Sequence, residues 1–214
     1  ACGRYVLIFN GEVYDFRELR KQFNYPYISN TDTEVVLAAW SEKGSDAIEL
    51  FEGMYAFAMW DKKERKLTLV RDRMGVKPLY YSHKNGNFVF SSEIRALLAS
   101  GVVEKKISHT SLVDYLRYQT VQTPDTILEG VKMLPPATVL EYYTDDDEVK
   151  LYKYWYLRNI SSNPRLSYEE VKEEVRRLFF AAVEKRLVAD VPFGAFLSGG
   201  IDSSAVVGAM SRFS

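Results

Sequence analysis

The chain has 214 residues, a formal net charge of −1, 47% hydrophobic and 27% charged residues, and a single cysteine. That length can bury a substantial core as one large domain or two small ones. Dispersed charge excludes the basic footprint of a nucleic-acid binder, no apolar run reaches the roughly 20 residues that span a bilayer, and one cysteine excludes a disulfide framework, making the cytoplasm the expected compartment.

Residues 5–9, YVLIF, form a short apolar β run, and Asn10-Gly11 after them is a turn signal. Residues 15–23 are expected as a short helix. Thr31 and Glu34 have the Thr-x-x-Glu spacing of a capping box before VVLAAWSEK, and Gly44 is placed to close that helix. From Met54 the hydrophobic period changes to two. The runs MYAFAMWD, KLTLVRD, PLYYSH and NFVFSS, separated by turn residues, predict an antiparallel meander. Its aromatic residues, Trp60 included, are assigned to core, and Arg71 and Asp72 to an internal ion pair that braces it. Residues 92–98 and 111–119 read as helices. VLEYY is expected to pair with VKLYKYWYL across Asp145-Asp146-Asp147-Glu148, a solvated hairpin turn rather than a metal site. With one cysteine, and His83 far in sequence from His109, no metal site is expected.

Composition shifts at residues 158–166, RNISSNPRL, which reads as a linker between a domain at 1–157 and the beginning of another at 167–214. Ser167 and Glu170 cap an amphipathic helix with Val171, Val175, Leu178, Phe179 and Ala182 on one face. Phe193 to Leu197 is expected as a buried strand, followed by Ser198-Gly199-Gly200 and a helix beginning near Asp202 and Ser203. Glycine turns, hydroxyls and the positive end of a helix suit a phosphate. The run has neither a Walker ending nor a G-x-G-x-x-G, and a plain capped strand-to-helix turn is the other reading of it.

The full string SGGIDSS after an apolar run resembles the pyrophosphate loop of ATP pyrophosphatases, which split ATP into AMP and pyrophosphate to form an adenylate. On that resemblance Ser198, Gly199, Gly200, Ile201, Asp202 and Ser203 line the phosphate site, with Leu197 near the adenosine. NGEVYDFREL, SNTDTEVV, GMYAFAMWD, RDRMGVKPLYY and SSEIRALL occur in the order found in class II glutamine amidotransferases. From Tyr5 to Ser211 the chain is similar to glutamine-hydrolysing asparagine synthetases. The resemblance implies an α+β fold: an αββα sandwich of the N-terminal-nucleophile hydrolase type, followed by the truncated start of an α/β pyrophosphatase domain. It implies glutamine, aspartate and ATP with Mg2+ as small-molecule substrates, a β-aspartyl-AMP intermediate, and no cofactor in the glutaminase domain. It implies no nucleic-acid or membrane partner and admits a homodimer.

By the same resemblance Cys2 is the nucleophile and its own α-amino group the base. An α-amine titrates near about 7.7–8.0 and a thiol near about 8.5, so proton transfer between them is nearly isoenergetic. The Asn10 side chain and the Gly11 N–H hold the oxyanion, and Glu12 and Asp32 receive the substrate ammonium group. Three features depart from the family. Ala1 precedes Cys2, which turns the would-be base into an amide nitrogen. Gly3 runs directly into Arg4, without the intervening segment that carries the arginine clamping the glutamine carboxylate. The pyrophosphatase part stops soon after its loop. A related amidotransferase with another acceptor shares these motifs, and a catalytically silent binding or assembly module is the reading from a different class.

Overall fold

The computed structural model describes residues 3–157, 166–189, 191–192 and 194–213. Ala1, Cys2 and nearly all of the expected linker lie outside the described residues. The chain divides into two compact units, residues 1–157 and 158–214.

Alternating side chains build the first unit as layers. Strands β1 (Tyr5–Val13), β2 (Gly53–Asp61), β3 (Lys66–Arg71), β7 (Thr138–Tyr143) and β8 (Glu148–Lys153) form an antiparallel sheet in the order β1-β2-β3-β7-β8. Strands β4 (Tyr80–Lys84), β5 (Asn87–Ser91) and β6 (Lys132–Met133) form a second sheet in the order β5-β4-β6. Along β2, Tyr55, Phe57 and Met59 enter a core shared with helices α1 (Phe16–Arg20) and α2 (Asp32–Lys43). The intervening Ala56 and Ala58 face Leu79, Phe88 and Phe90 of the second sheet layer. The far face of that sheet carries Tyr80 and Val89 into a third core with Leu97 of α3 (Ile94–Ala99), and helix α4 (His109–Tyr118) follows in the chain. Helix, sheet, sheet, helix is the αββα order, and the period-two pattern of β2 serves two cores at once.

The expected meander is two hairpins in two sheets. The reason is the segment after β3, where Asp72 accepts hydrogen bonds from the N–H groups of Met74, Val76 and Lys77, each at 3.0 Å, and from Tyr55 N–H at 3.3 Å. Arg71 donates to the carbonyls of Lys77, Leu134 and Gly75 at 2.6–2.7 Å. Each side chain is thus spent on backbone groups of the turn and of the chain beside it, and the anticipated ion pair is replaced by two backbone anchors. They lead the chain out of the first sheet and into the second. Burial lowers the Arg71 pKa, an effect the charge of Asp72 opposes.

Other expectations shift by local chemistry. Asn10-Gly11 is not a turn, because β1 continues through it with Gly11 opposite Tyr55 and Val13 opposite Gly53. A Cβ on Gly11 would stand 2.2 Å from the Met54 carbonyl oxygen, so this glycine permits close approach of two strands. Thr31 caps α2 by accepting from Glu34 N–H, but the Glu34 carboxylate takes Ile28 N–H, Ser29 N–H and the Ser29 hydroxyl instead of completing a capping box. Trp60 is half-buried, unlike Tyr55, Phe57 and Met59. The acidic turn before β8 does more than meet solvent, since Asp147 accepts from Tyr142 Oη at 2.9 Å and lies 2.7 Å from His83 Nε2. Tyr142 stacks on Phe88 at 4.6 Å, so this cluster ties the two sheets together at one end.

In the second unit, α5 (Tyr168–Lys185) has a complete capping box between Ser167 and Glu170. Helix α6 (Ile201–Met210) follows Gly200, and Phe180 of α5 meets Phe213 edge-on at 6.5 Å. The expected buried strand at 193–197 is absent among its described residues: 194–197 are irregular and Phe196 is fully exposed. An apolar run becomes a buried strand only beside ladder partners, and no strand is described in this unit. No helix among the described residues is long and apolar enough to cross a membrane.

Two stability measurements follow. Gly11→Ala forces β1 away from β2 and should destabilise the chain by about 1–3 kcal/mol, read as a lowered urea midpoint. Hydrogen bonds from His83 and then Tyr142 hold the Asp147 carboxyl below its usual pKa. A depressed folded pKa contributes stability above the unfolded value of about 3.9, and that contribution fades as pH falls through the folded value. The urea midpoint of the native chain should therefore exceed that of Asp147→Asn at pH 6, with the gap narrowing by pH 3.

Candidate active site

Strand β1 lies at one edge of its sheet. In an antiparallel ladder, backbone groups alternate between pointing toward the partner strand and away from it. Tyr55, opposite Gly11, donates its N–H to Asp72 Oδ2, and its carbonyl accepts from the Asp72 N–H, so both groups face the β3 side. Gly11 therefore sits in the pair without mutual hydrogen bonds, and its own N–H points to the outer edge of β1. Val13, two residues on, has the same orientation. Its N–H donates to Asp32 Oδ2 at 3.0 Å.

Asp32 is the first residue of α2, with Thr31 rather than Asp32 as the cap. Its Oδ1 accepts from Thr33 N–H at 2.6 Å while Oδ2 holds Val13. One carboxylate thus fastens the start of α2 to the open edge of β1. Its charge lies about 6.8 Å along the strand from the Gly11 N–H, the length of two extended residues. Glu12, between them, is exposed. Asn10 is half-buried and donates from Nδ2 to Ser92 Oγ at 3.0 Å, across to the chain that follows β5. A cavity of about 520 Å3 beside Asn10 is lined by Ile8, Ala56, Ala58, Phe90 and Ser92 among others.

Four of the sequence-derived residues, Asn10, Gly11, Glu12 and Asp32, are brought to one corner of the first unit. Cys2 lies outside the described residues. Sequence reading left Ser92 out of this group. The SSEIRALL segment contained it, but only the crossing to a second sheet sets it against Asn10.

The residues expected to form a phosphate loop lie in an exposed turn. Gly199 adopts φ +80°, Ser198 Oγ lies 2.9 Å from Ser203 Oγ, and Ser203 Oγ donates to the Gly200 carbonyl at 3.1 Å. Leu197 and Ile201 are exposed, and Asp202 lies in the first turn of α6.

Residues 1–155 match the family model of the glutamine amidotransferase domain. The chain belongs to the glutamine amidotransferase family. Residues 174–214 match the asparagine synthase model. A Methanocaldococcus jannaschii relative, named as a candidate glutamine-hydrolyzing asparagine synthetase, is 38% identical over 97% of this chain and 40% of its own. Asparagine synthetase [glutamine-hydrolyzing] 3 of Bacillus subtilis is 37% identical over 94% of this chain and 33% of its own. This amidotransferase chain therefore spans 33–40% of the length of those relatives. Glutamine phosphoribosylpyrophosphate amidotransferase from B. subtilis, at 14% identity, superposes with a TM-score of 0.52 over 99% of this chain and 45% of its own. That likeness shows a shared layered fold.

The Asp32 tether is testable apart from catalysis. Asp32→Ala should lower unfolding free energy by about 1.5–3 kcal/mol, the range for a hydrogen bond to a charged group. Asp32→Asn, which keeps an acceptor oxygen, should lose clearly less in the same urea titration.

Proposed function

We propose that the first unit hydrolyses glutamine to glutamate and ammonia, and that in the longer protein this ammonia amidates aspartate activated by ATP. The observation that carries the glutaminase reading is the outer edge of β1. There the Gly11 N–H faces outward and the Asp32 carboxylate is held by Val13, two residues further along β1, with Asn10 and its side-chain amide next to Gly11.

Amide hydrolysis passes through a tetrahedral oxyanion, which needs donors fixed before charge develops. Gly11 N–H and Asn10 Nδ2 supply two. The Asp32 carboxylate, with Glu12 nearby in sequence, supplies the negative charge that orients the substrate ammonium group. Cys2 is the thiol nucleophile: its sulfur attacks the carboxamide carbon, ammonia leaves, and water releases glutamate from the thioester. The base is the α-amino group of that cysteine, which is free only where Cys2 is the first residue. Arg4 bonds Asp61 bidentately at 2.5 and 2.8 Å, so it does not replace the carboxylate-clamping arginine.

In the second unit the hydroxyls of Ser198 and Ser203, the glycine turn at Gly199-Gly200 and the N-terminal end of α6 are a donor set suited to the phosphates of ATP. Leu197, Ile201 and Asp202 flank them. ATP with Mg2+ supplies the adenylate chemistry. This chain's residues contribute hold on the phosphates.

The test is glutamate release from L-glutamine, with mass spectrometry of the first residue. Chain beginning at Cys2 should release glutamate, and chain retaining Ala1 should not. Asn10→Ala should lower kcat by about 10²–10³-fold, the usual loss for an oxyanion donor. No glutamate from chain beginning at Cys2 would leave the silent-module reading standing, and an Asn10→Ala variant at the native rate would remove Asn10 from the oxyanion site.

A further inference from the structure

Asn10 and Ser92 are 82 positions apart and belong to different sheet layers, yet Asn10 Nδ2 donates to Ser92 Oγ at 3.0 Å. The other polar groups around the adjoining cavity are engaged elsewhere. Glu93 pairs with Arg95, and Ser91 Oγ accepts from Glu93 N–H. The rest of the wall near Asn10 is apolar, with Ile8, Ala56, Ala58 and Phe90. The Ser92 hydroxyl is thus the side-chain group that Asn10 meets on this face.

The torsion that turns an asparagine amide about its Cβ–Cγ bond is broad and roughly two-fold, so an unrestrained amide samples many planes. Its nitrogen carries two hydrogens fixed in the amide plane. Holding one of them fixes the direction of the other.

We infer that Ser92 is a positioning residue for glutamine hydrolysis: it accepts one Asn10 Nδ2 hydrogen and so aims the second at the developing oxyanion. This rests on the glutaminase reading above. Ser92 does not touch the substrate. It removes from the transition state the cost of ordering the Asn10 amide, since preorganised donors need no reorientation as charge develops. Its loss should therefore fall on kcat, leaving KM nearly unchanged.

Two readouts on the full chain separate the possible outcomes. Nitrogen-15 relaxation of the Asn10 side-chain amide should give an order parameter near the rigid value of about 0.85 in the native chain. Ser92→Ala should bring it below about 0.6, and Ser92→Thr, which keeps the hydroxyl, should restore it. In glutamate release, Ser92→Ala should lower kcat roughly 10–100-fold, less than deletion of a donor, with Ser92→Thr again close to native. An Asn10 amide equally ordered in Ser92→Ala and native protein would overturn the inference, as would an unchanged kcat in an active chain. If the native chain beginning at Cys2 releases no glutamate, the glutaminase reading fails by itself, and the relaxation comparison still decides whether Ser92 holds Asn10.

Discussion

Everything at the β1 corner depends on how closely Gly11 approaches β2. With a Cβ position 2.2 Å from the Met54 carbonyl and 2.5 Å from the Tyr55 Cα, only glycine lets the strand continue in register. Register then fixes which backbone donors face outward. A slip of one residue would turn the Gly11 and Val13 N–H groups inward, away from Asp32. Close packing, ladder geometry and the placement of a carboxylate are one constraint seen at three levels.

The second constraint lies on the other side of Tyr55, where Asp72 follows β3. Asp72 gathers four backbone N–H groups and Arg71 three carbonyls, so the turn that follows β3 is held almost wholly by two side chains. This turn sends β4 and β5 into a second sheet instead of extending the first. Only through that crossing does Ser92 reach Asn10. A residue pair with no catalytic appearance in the sequence thereby determines the geometry beside Asn10.

The sequence made the alternating strands, the caps at Thr31 and Ser167 and the closing Gly44 legible, because each rests on local spacing or backbone preference. The layer order came from resemblance rather than from periodicity. Periodicity alone joined β2 through β5 into one meander, since a period of two says which face is apolar but not which sheet a strand joins. Asn10-Gly11 looked like a turn because that pair usually is one, and close strand approach uses the same absence of a side chain. The family motifs named Asn10, Gly11, Glu12 and Asp32 as site residues, and the fold places all four at one corner of the first unit. The Asn10–Ser92 bond was out of reach because it spans 82 residues and two sheets. The apolar run before Ser198 was misread for the opposite reason: its strand character was local, while a strand's partners are not.

Glutamine recognition is the central claim, and amide chemical-shift mapping of the chain during titration with L-glutamine tests it most directly. The account predicts saturable shifts concentrated at Asn10, Gly11, Glu12, Val13 and Asp32, with little change in the helix-side core around Phe57 and Trp40. Shifts confined to other surfaces, or none at millimolar glutamine, would contradict it.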